Sequence, residues 1–353
     1  MSEPVNVWEY ERLAEEKVEP GAWGYFAGGA GDERTLADNV EAFLRWRLRP
    51  RMLVDVGSVT TEMTLIGREL SLPILAAPTA FQRLAHPDGE LATARAAAAV
   101  GTVMTLSTLG SVSPAELTAA APDGRRWFQL YWSRDREFTK ALAQSAEEAG
   151  FEAIMLTVDL PAAGRRERDI RAAFEIPSDL PLPNLPRHLG SGDFHATLGE
   201  VVDPTITWRD LEWLRSVTSL PLVIKGILTA EDARLACEHG MDGVVVSNHG
   251  GRQLDGVAAS LDALPEVVEA VSGRCLVLFD GGIRRGTDVV TAMALGARAV
   301  LVGRPLIWGL AVAGEEGVRR VFELLRAEVA LALLLLGCRT PEALTPAHVR
   351  RSA

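Results

Sequence analysis

The stretch GVVVSNHGGRQLDG, residues 243–256, runs an apolar segment directly into Ser247, Asn248, His249, two glycines, Arg252 and Asp255. Strands buried on both faces of a parallel sheet are near-continuous apolar runs, so residues 243–248 read as one such strand. It ends in a titratable base, a flexible backbone and a fixed cation. Seven other runs have the same form: PILAAP (73–78), GTVMTLST (101–108), RWFQLYW (126–132), AIMLTVD (153–159), LVIKGI (222–227), LVLFDGG (276–282) and AVLVGR (299–304). Each leads into a polar or glycine turn and then an Ala/Glu/Leu-rich helical stretch. Eight strands alternating with helices over about 250 residues predict a (β/α)8 TIM barrel. A doubly wound open sheet is the competing arrangement.

The intervening helices carry their own start and stop signals. SPAELTAAA begins at Ser113 with Glu116 three residues on, a capping box. TAEDARLACEHG repeats the pattern with Thr229 and Asp232 and closes on Gly240. Residues 1–70 form an N-terminal extension, with a helix predicted over DERTLADNVEAFLRWRL (32–48) and a strand pair in TTEMTLIGRELSLP (60–73). The barrel spans 71–312 and residues 313–353 supply a C-terminal helix and tail, so 1–353 reads as a single domain. After the fourth strand a segment at about 167–207 breaks the repeat, and Pro177, Pro181, Pro183 and Pro186 exclude a continuous helix there. A long loop at this position is read as a mobile lid.

Composition narrows the function. Of 353 residues, 48% are hydrophobic and 24% charged, the balance of an ordinary globular chain, and a net charge of -11 argues against a nucleic-acid partner. The acidic start, with Glu3, Glu9 and Glu11, does not read as a signal peptide. The longest apolar run, Val329 to Leu336, falls short of the ~20 residues of a membrane span and reads as a buried helix. Cys237, Cys275 and Cys338 are odd in number and widely spaced, giving neither a disulfide framework nor a metal-ligand pair. A reducing cytoplasm suits them best.

In such barrels the site is built where the strands end. Here they end in Pro78, Thr79 and Ala80; in Ser107 and Thr108; in Gln129 and Tyr131; in Thr157 and Asp159, with Arg165 and Arg166 beyond; in Lys225; in Ser247, His249 and Arg252; in Asp280, Gly281, Gly282 and Arg284; and in Gly303 and Arg304. A core does not tolerate so many unpaired polar groups, so a polar ligand is expected. Adjacent glycines and arginines after the last two strands sit where these barrels bind a phosphate group. Gln129, Thr157, Ser107 and backbone near residues 77–79 suit a flat heterocycle, and Lys225 supplies a fixed charge beside it. His249 is a candidate general base. Two arginine forks converging on one pocket suit a carboxylate.

Together, YFAGGAGDERTL, AAPTAFQRLAHPDGE, FQLYW, LTVDLPAAGRRERDIR, IKGILTAEDA, SNHGGRQLDG, FDGGIRRGTDV and LVGRP cover nearly the whole chain. In these motifs the chain resembles the FMN-dependent L-2-hydroxy acid oxidising family of glycolate, lactate and hydroxymandelate oxidases and mandelate dehydrogenase. The pattern is closest to the hydroxymandelate oxidases. The resemblance implies FMN as cofactor and His249 as the base that takes a proton as the substrate α-carbon is oxidised. It makes Asp159 the partner of the imidazolium, Arg166 and Arg252 the carboxylate clamp, and Tyr25 and Tyr131 hydrogen-bonding groups for carboxylate and hydroxyl. Lys225 matches the lysine beside flavin N1 and O2. Asp280, Gly281, Gly282, Arg284, Gly303 and Arg304 match the phosphate site. Pro78, Thr79, Ala80, Ser107, Gln129, Thr157 and Ser247 are expected around the cofactor.

Within that family the position of Ala80 tends to alanine in oxidases, so the resemblance implies O2 as acceptor and hydrogen peroxide as product. Leu109 and Ala163 stand where glycolate oxidases carry a larger tryptophan and leucine, which implies a wider pocket and an aromatic substrate such as (S)-mandelate or 4-hydroxymandelate. Phe81 and Trp132 are expected near it. A lactate- or glycolate-type oxidase, or a dehydrogenase with another acceptor, is the alternative. An isomerase or lyase on a related barrel would not need His249, Arg166 and Arg252 together, and a non-catalytic barrel would not fill every matched position. The family tendency implies a homotetramer without membrane partners.

Overall fold

The structure is a computed structural model that describes residues 3–186, 189 and 191–352. Its eight central strands are β1 (Ile74–Ala76), β2 (Val103–Ser107), β3 (Arg125–Leu130), β4 (Ile154–Thr157), β5 (Leu222–Ile227), β6 (Gly243–Val246), β7 (Leu276–Asp280) and β8 (Ala299–Val302). All pair in parallel, and β8 returns to β1 through Val302 opposite Ala76, so the sheet is a closed barrel rather than an open one. All eight predicted runs are strands. The reason is packing: both faces of these strands are covered, so Val, Ile and Leu are favoured at every position.

Register sets the site. Ser107 lies opposite Gln129, and Lys225 lies opposite Thr157. The last polar residue of each strand therefore meets its neighbour's. β5 is irregular between Lys225 and Ile227, where Gly226 has φ 111°. A Cβ there would stand 2.6 Å from Cβ of Asp159, so a glycine is needed to let that carboxylate close in.

The opposite end is plugged. The predicted strand pair is a hairpin of Met63–Leu65 and Arg68–Leu70. Met63, Leu65 and Leu70 are buried against Leu75, Val103, Trp127, Met155, Val223 and Leu278 inside the barrel. The Ser113–Glu116 capping box is present, and Thr229 caps its helix through the Asp232 amide.

Three expectations need correction. Residues 32–48 are not one helix: Arg34–Glu41 is helical, Ala42–Arg45 forms a 3-10 turn, and Trp46–Leu48 becomes a strand paired antiparallel with Val349–Arg351. The partner comes from the far end of the chain, beyond any local pattern. The run Val329–Leu336 ends a helix that breaks at Ala313 and Gly314, and it is two-faced: Val329, Leu333 and Leu336 are buried while Leu331, Leu334 and Leu335 are exposed.

The third correction is to the lid. It contains a helix at Glu167–Arg171, paired segments Glu175–Ile176 and Gly192–Asp193, and a helix Phe194–Val201 capped by Asp193. Asn184 is buried and donates to the Val112 carbonyl at 2.9 Å. Residues 187, 188 and 190 of this loop lie outside the described residues. Cys237 and Cys275, far apart in sequence, are free thiols whose sulfurs stand 3.5 Å apart.

Candidate active site

The strand ends converge on a cavity at the C-terminal mouth of the barrel. On one side a chain of neutral groups links three strands. Ser107 Oγ donates to Gln129 Oε1 at 3.1 Å, and Gln129 Nε2 donates to Thr157 Oγ1 at 3.1 Å. Beside it Lys225, 4% exposed, reaches Asp280 at 3.2 Å and donates to Ser247 Oγ at 2.9 Å. Burial acts to lower the Lys225 pKa, but the Asp280 and Asp159 carboxylates more than offset it and hold the ammonium charged.

His249 follows β6 in the left-handed region, φ 58°, unusual for a side chain with a Cβ and of a kind that collects at functional sites. Its amide donates to Ser247 Oγ at 3.0 Å, and its Nδ1 bonds Asp159 Oδ1 at 2.8 Å. An ionised carboxylate accepts only, so Nδ1 carries the proton and Nε2 remains a free base. Burial lowers the His249 pKa, helped by the Lys225 and Arg166 charges and opposed by Asp159. Burial alone would raise Asp159, yet His249 and Lys225 keep its pKa below the ordinary value. The result is a neutral imidazole against an ionised carboxylate.

Arg166 and Arg252 line the same cavity. Arg166 is 2% exposed, its Nη1 has no hydrogen-bond partner among the described residues, and its nearest carboxylate is Asp169 at 3.9 Å. Burial and the Arg252 charge pull this guanidinium down to about 10, so an incoming anion would relieve both. Arg252 is anchored through the Tyr25 and Gly28 carbonyls and lies 4.7 Å over the Tyr25 ring. Tyr131 is buried, and desolvation followed by the Asp159 charge pushes its phenol pKa upward, which keeps it a hydrogen-bond donor.

At the far end the loop after β7 turns through Gly281 (φ 114°) and Gly282 (φ 78°). A Cβ at Gly282 would fall 1.9 Å from the Asn39 carbonyl oxygen, so this glycine also answers to packing against the N-terminal extension. Arg284 is buried and passes 5.4 Å from Trp8. Arg304 donates to the carbonyls of Phe26, Gly250 and Gly28 at 2.8–3.0 Å. Burial and the Arg252 and Arg284 charges depress it strongly. Glu11 stands 3.9 Å from Arg284 Nε and offsets only part of this clustered positive charge, so the arginines form an anion site.

Pro78, Thr79, Ala80, Leu109 and Gly303 are also in the cavity wall, whereas Ser247 and Asp159 stand behind it, bonded to lining residues. The wall does not include Ala163. Phe81 is one layer back, 5.4 Å from the Tyr25 ring, and Trp132 packs instead on Trp213 at 5.1 Å. Phe194 and Leu198 of the helix Phe194–Val201, with Leu160, also stand in the wall. They were not anticipated, because the only local signal is the Asp193 cap before an apolar-periodic turn.

The residues fit FMN on their own chemistry. Asp280 Oδ1, Arg284 Nε and Arg166 Nη1 are buried without hydrogen-bond partners among the described residues. A ligand with hydroxyls, a phosphate and a neighbouring carboxylate would satisfy all three. A barrel with this set of strand ends is a flavin oxidoreductase acting on 2-hydroxy acids.

Residues 14–351 match the FMN-dependent dehydrogenase family, and the chain belongs to it. It is 51% identical to the L-lactate oxidase of Nostoc sp. over 349 residues, 96% of either chain. It is 47% identical to 2-hydroxyacid oxidase 1 of Homo sapiens over 354 residues, 98% of this chain and 96% of that one. It also superposes on a mandelate oxidase solved with (S)-4-hydroxymandelic acid, with TM-score 0.93 and 46% identity, covering 99% of this chain and all of the other. The chain is thus an FMN-dependent enzyme of the 2-hydroxy acid oxidase family.

Proposed function

We propose that this enzyme oxidises an aromatic (S)-2-hydroxy acid, such as (S)-mandelate or 4-hydroxymandelate, to the 2-oxo acid while O2 is reduced to hydrogen peroxide. The carrying observation is the His249–Asp159 pair at 2.8 Å in one cavity with Arg166 and Arg252. The two guanidinium groups hold the substrate carboxylate. Tyr25 and Tyr131 hydrogen-bond the carboxylate and hydroxyl and fix which hydrogen of the α-carbon region faces His249. Nε2 of His249 takes one of the two protons lost, with two electrons, as the H–C–O–H unit of the substrate becomes C=O. Asp159 stabilises the imidazolium that forms, as carboxylates do for catalytic histidines. Bound FMN would supply the two-electron acceptor chemistry, with O2 as the terminal acceptor. Lys225, kept charged by Asp280, stands ready to balance negative charge on the ring.

Leu109, Leu160, Phe194 and Leu198 form an apolar wall in the same cavity, which suits a phenyl group better than a methyl. Ala80 in the wall supports O2 as acceptor. The 51% identity to an L-lactate oxidase favours a second reading, a small aliphatic substrate. Steady-state oxidation of (S)-mandelate, L-lactate and glycolate in air, with peroxide quantified, decides between them. The aromatic reading expects the highest kcat/KM with mandelate, and a preference for lactate would overturn it. Anaerobic bleaching of the flavin by mandelate followed by slow recovery in air would instead assign another acceptor.

A further inference from the structure

The helix Ala230–Glu238 follows β5 and descends to the N-terminal end of the barrel, where Cys237 occupies its last turn. Cys275 immediately precedes β7 at the same end. The two sulfurs are 3.5 Å apart, and both residues are partly exposed rather than sealed in the core. A disulfide has an S–S bond of ~2.05 Å, so the sulfurs need to approach by only about 1.5 Å. Neither cysteine takes part in the site, which opens at the other end of the barrel. Cys338, by contrast, is 2% exposed and lies against His348, whose Nε2 is 3.4 Å from its sulfur.

We propose that Cys237 and Cys275 are a site of reversible oxidation, closing to an intramolecular disulfide when the chain meets a hydroperoxide. The Cys237 sulfur attacks the peroxide, forming an S–O bond and breaking O–O, and water leaves. The Cys275 sulfur then attacks the sulfenic sulfur, S–S forms, S–O breaks and a second water leaves. Two thiols lose two electrons and two protons, and one hydrogen peroxide becomes two waters. Burial and the adjoining Cys237 push the Cys275 thiol up to about 12, which makes it the poorer first nucleophile and leaves it the resolving role. Proximity at 3.5 Å drives the second step.

The position explains what the bond would do. Cys237 ends the unit that begins with β5, which carries Lys225, and Cys275 begins β7, which ends in Asp280. A bond between them would close a loop of 38 residues and tie the two units whose other ends form the Lys225–Asp280 pair. Closing such a loop restricts the unfolded chain, so the oxidised enzyme should melt a few degrees higher, about 3 to 5 °C. That the enzyme itself releases the oxidant rests on the function proposed above; the presence of the thiol pair does not.

The test uses the FMN-loaded enzyme and hydrogen peroxide added directly, so that it does not depend on turnover. After exposure and quenching, the protein is denatured and its thiols are alkylated with a maleimide. Wild type should carry one maleimide instead of three, lose two hydrogens in mass, yield a 237–275 cross-linked peptide under non-reducing digestion, and regain all three thiols with dithiothreitol. Cys237→Ser and Cys275→Ser should show no cross-link, no rise in Tm and unchanged activity when reduced. Three alkylated thiols after peroxide, or a cross-link found only between chains, would overturn the proposal. A substrate-driven arm with and without catalase then separates the two readings. A cross-link with added peroxide but none during turnover would count against peroxide release while leaving the thiol site in place.

Discussion

The two ends of this barrel are made from the same eight strands and differ in almost everything else. At the N-terminal end Met63, Leu65 and Leu70 plug a dry core containing Leu75, Trp127 and Leu278. At the C-terminal end the strands finish in Lys225, Asp280, Gln129 and Thr157, with His249 and two arginines just beyond. One end holds the barrel together and the other holds a ligand, as parallel-barrel enzymes arrange it. The polar end contains buried like charges, with the Arg252 charge lowering both Arg166 and Arg304. That clustering costs stability unless an anion enters. Stability and function are therefore separable by substitution, which makes the contrast testable.

The largest expected effect is at the polar end. His249→Ala removes the base bonded to Asp159 and should lower kcat by ~10²–10⁴-fold, with flavin absorbance and thermal midpoint close to wild type. Near-normal turnover would remove His249 from the chemistry. The same residue sets a pH signature. Its neutral form works, and burial lowers its pKa, so kcat/KM should hold as pH falls through the ordinary histidine value of ~6.5 and drop only on the acid side. Asp159→Asn removes the contribution that raises this pKa, moving the limb further to acid while slowing the plateau. A limb moving to alkaline pH would contradict that electrostatic assignment.

Next in size is the clamp. Arg166→Lys keeps a charge but loses the planar fork, and two charge-assisted hydrogen bonds at ~1.5–3 kcal/mol each are at stake. We expect kcat/KM to fall by ~10²-fold, mostly through KM, measured by steady-state kinetics. An unchanged KM would mean that Arg252 alone holds the carboxylate.

At the dry end the outcome should invert. Leu65→Ala, at a side chain 1% exposed, leaves a cavity and should cost about 2–5 kcal/mol in urea unfolding, with kcat/KM near wild type when assayed well below the transition. A matching loss of activity in the folded protein would show that the ends are coupled.

What could be read in advance follows the same division. The eight strands were legible because full burial on both faces leaves an apolar run with a polar end. His249, Asp159, Lys225 and the arginines were legible because groups that costly to bury stand out against that run. The Trp46–Leu48 strand was not, since its partner Val349–Arg351 is supplied from some 300 residues away. The Cys237–Cys275 contact escaped for the same reason: sequence spacing does not measure distance across a barrel. Ala163 was expected in the pocket from the resemblance, but at Gly164 the backbone packs so close that a Cβ would fall 2.3 Å from the Arg252 carbonyl oxygen, and Phe194 stands in the wall where Ala163 does not.

That replacement defines the smallest and most specific test. Phe194 stacks edge-on against Tyr25 at 5.5 Å and lies 5.1 Å beneath the Arg166 guanidinium. It therefore belongs to both the apolar wall and the carboxylate clamp. Phe194→Leu preserves burial while removing the aromatic face. If the ring contacts an aromatic substrate, kcat/KM for (S)-mandelate should fall by roughly 10-fold, within the ~1–3 kcal/mol that pocket shape can discriminate, and L-lactate should change less. If the ring serves only to support Arg166, both substrates should lose equally, because both present the same carboxylate. The ratio of the two losses, rather than either alone, separates a specificity wall from a prop for the clamp.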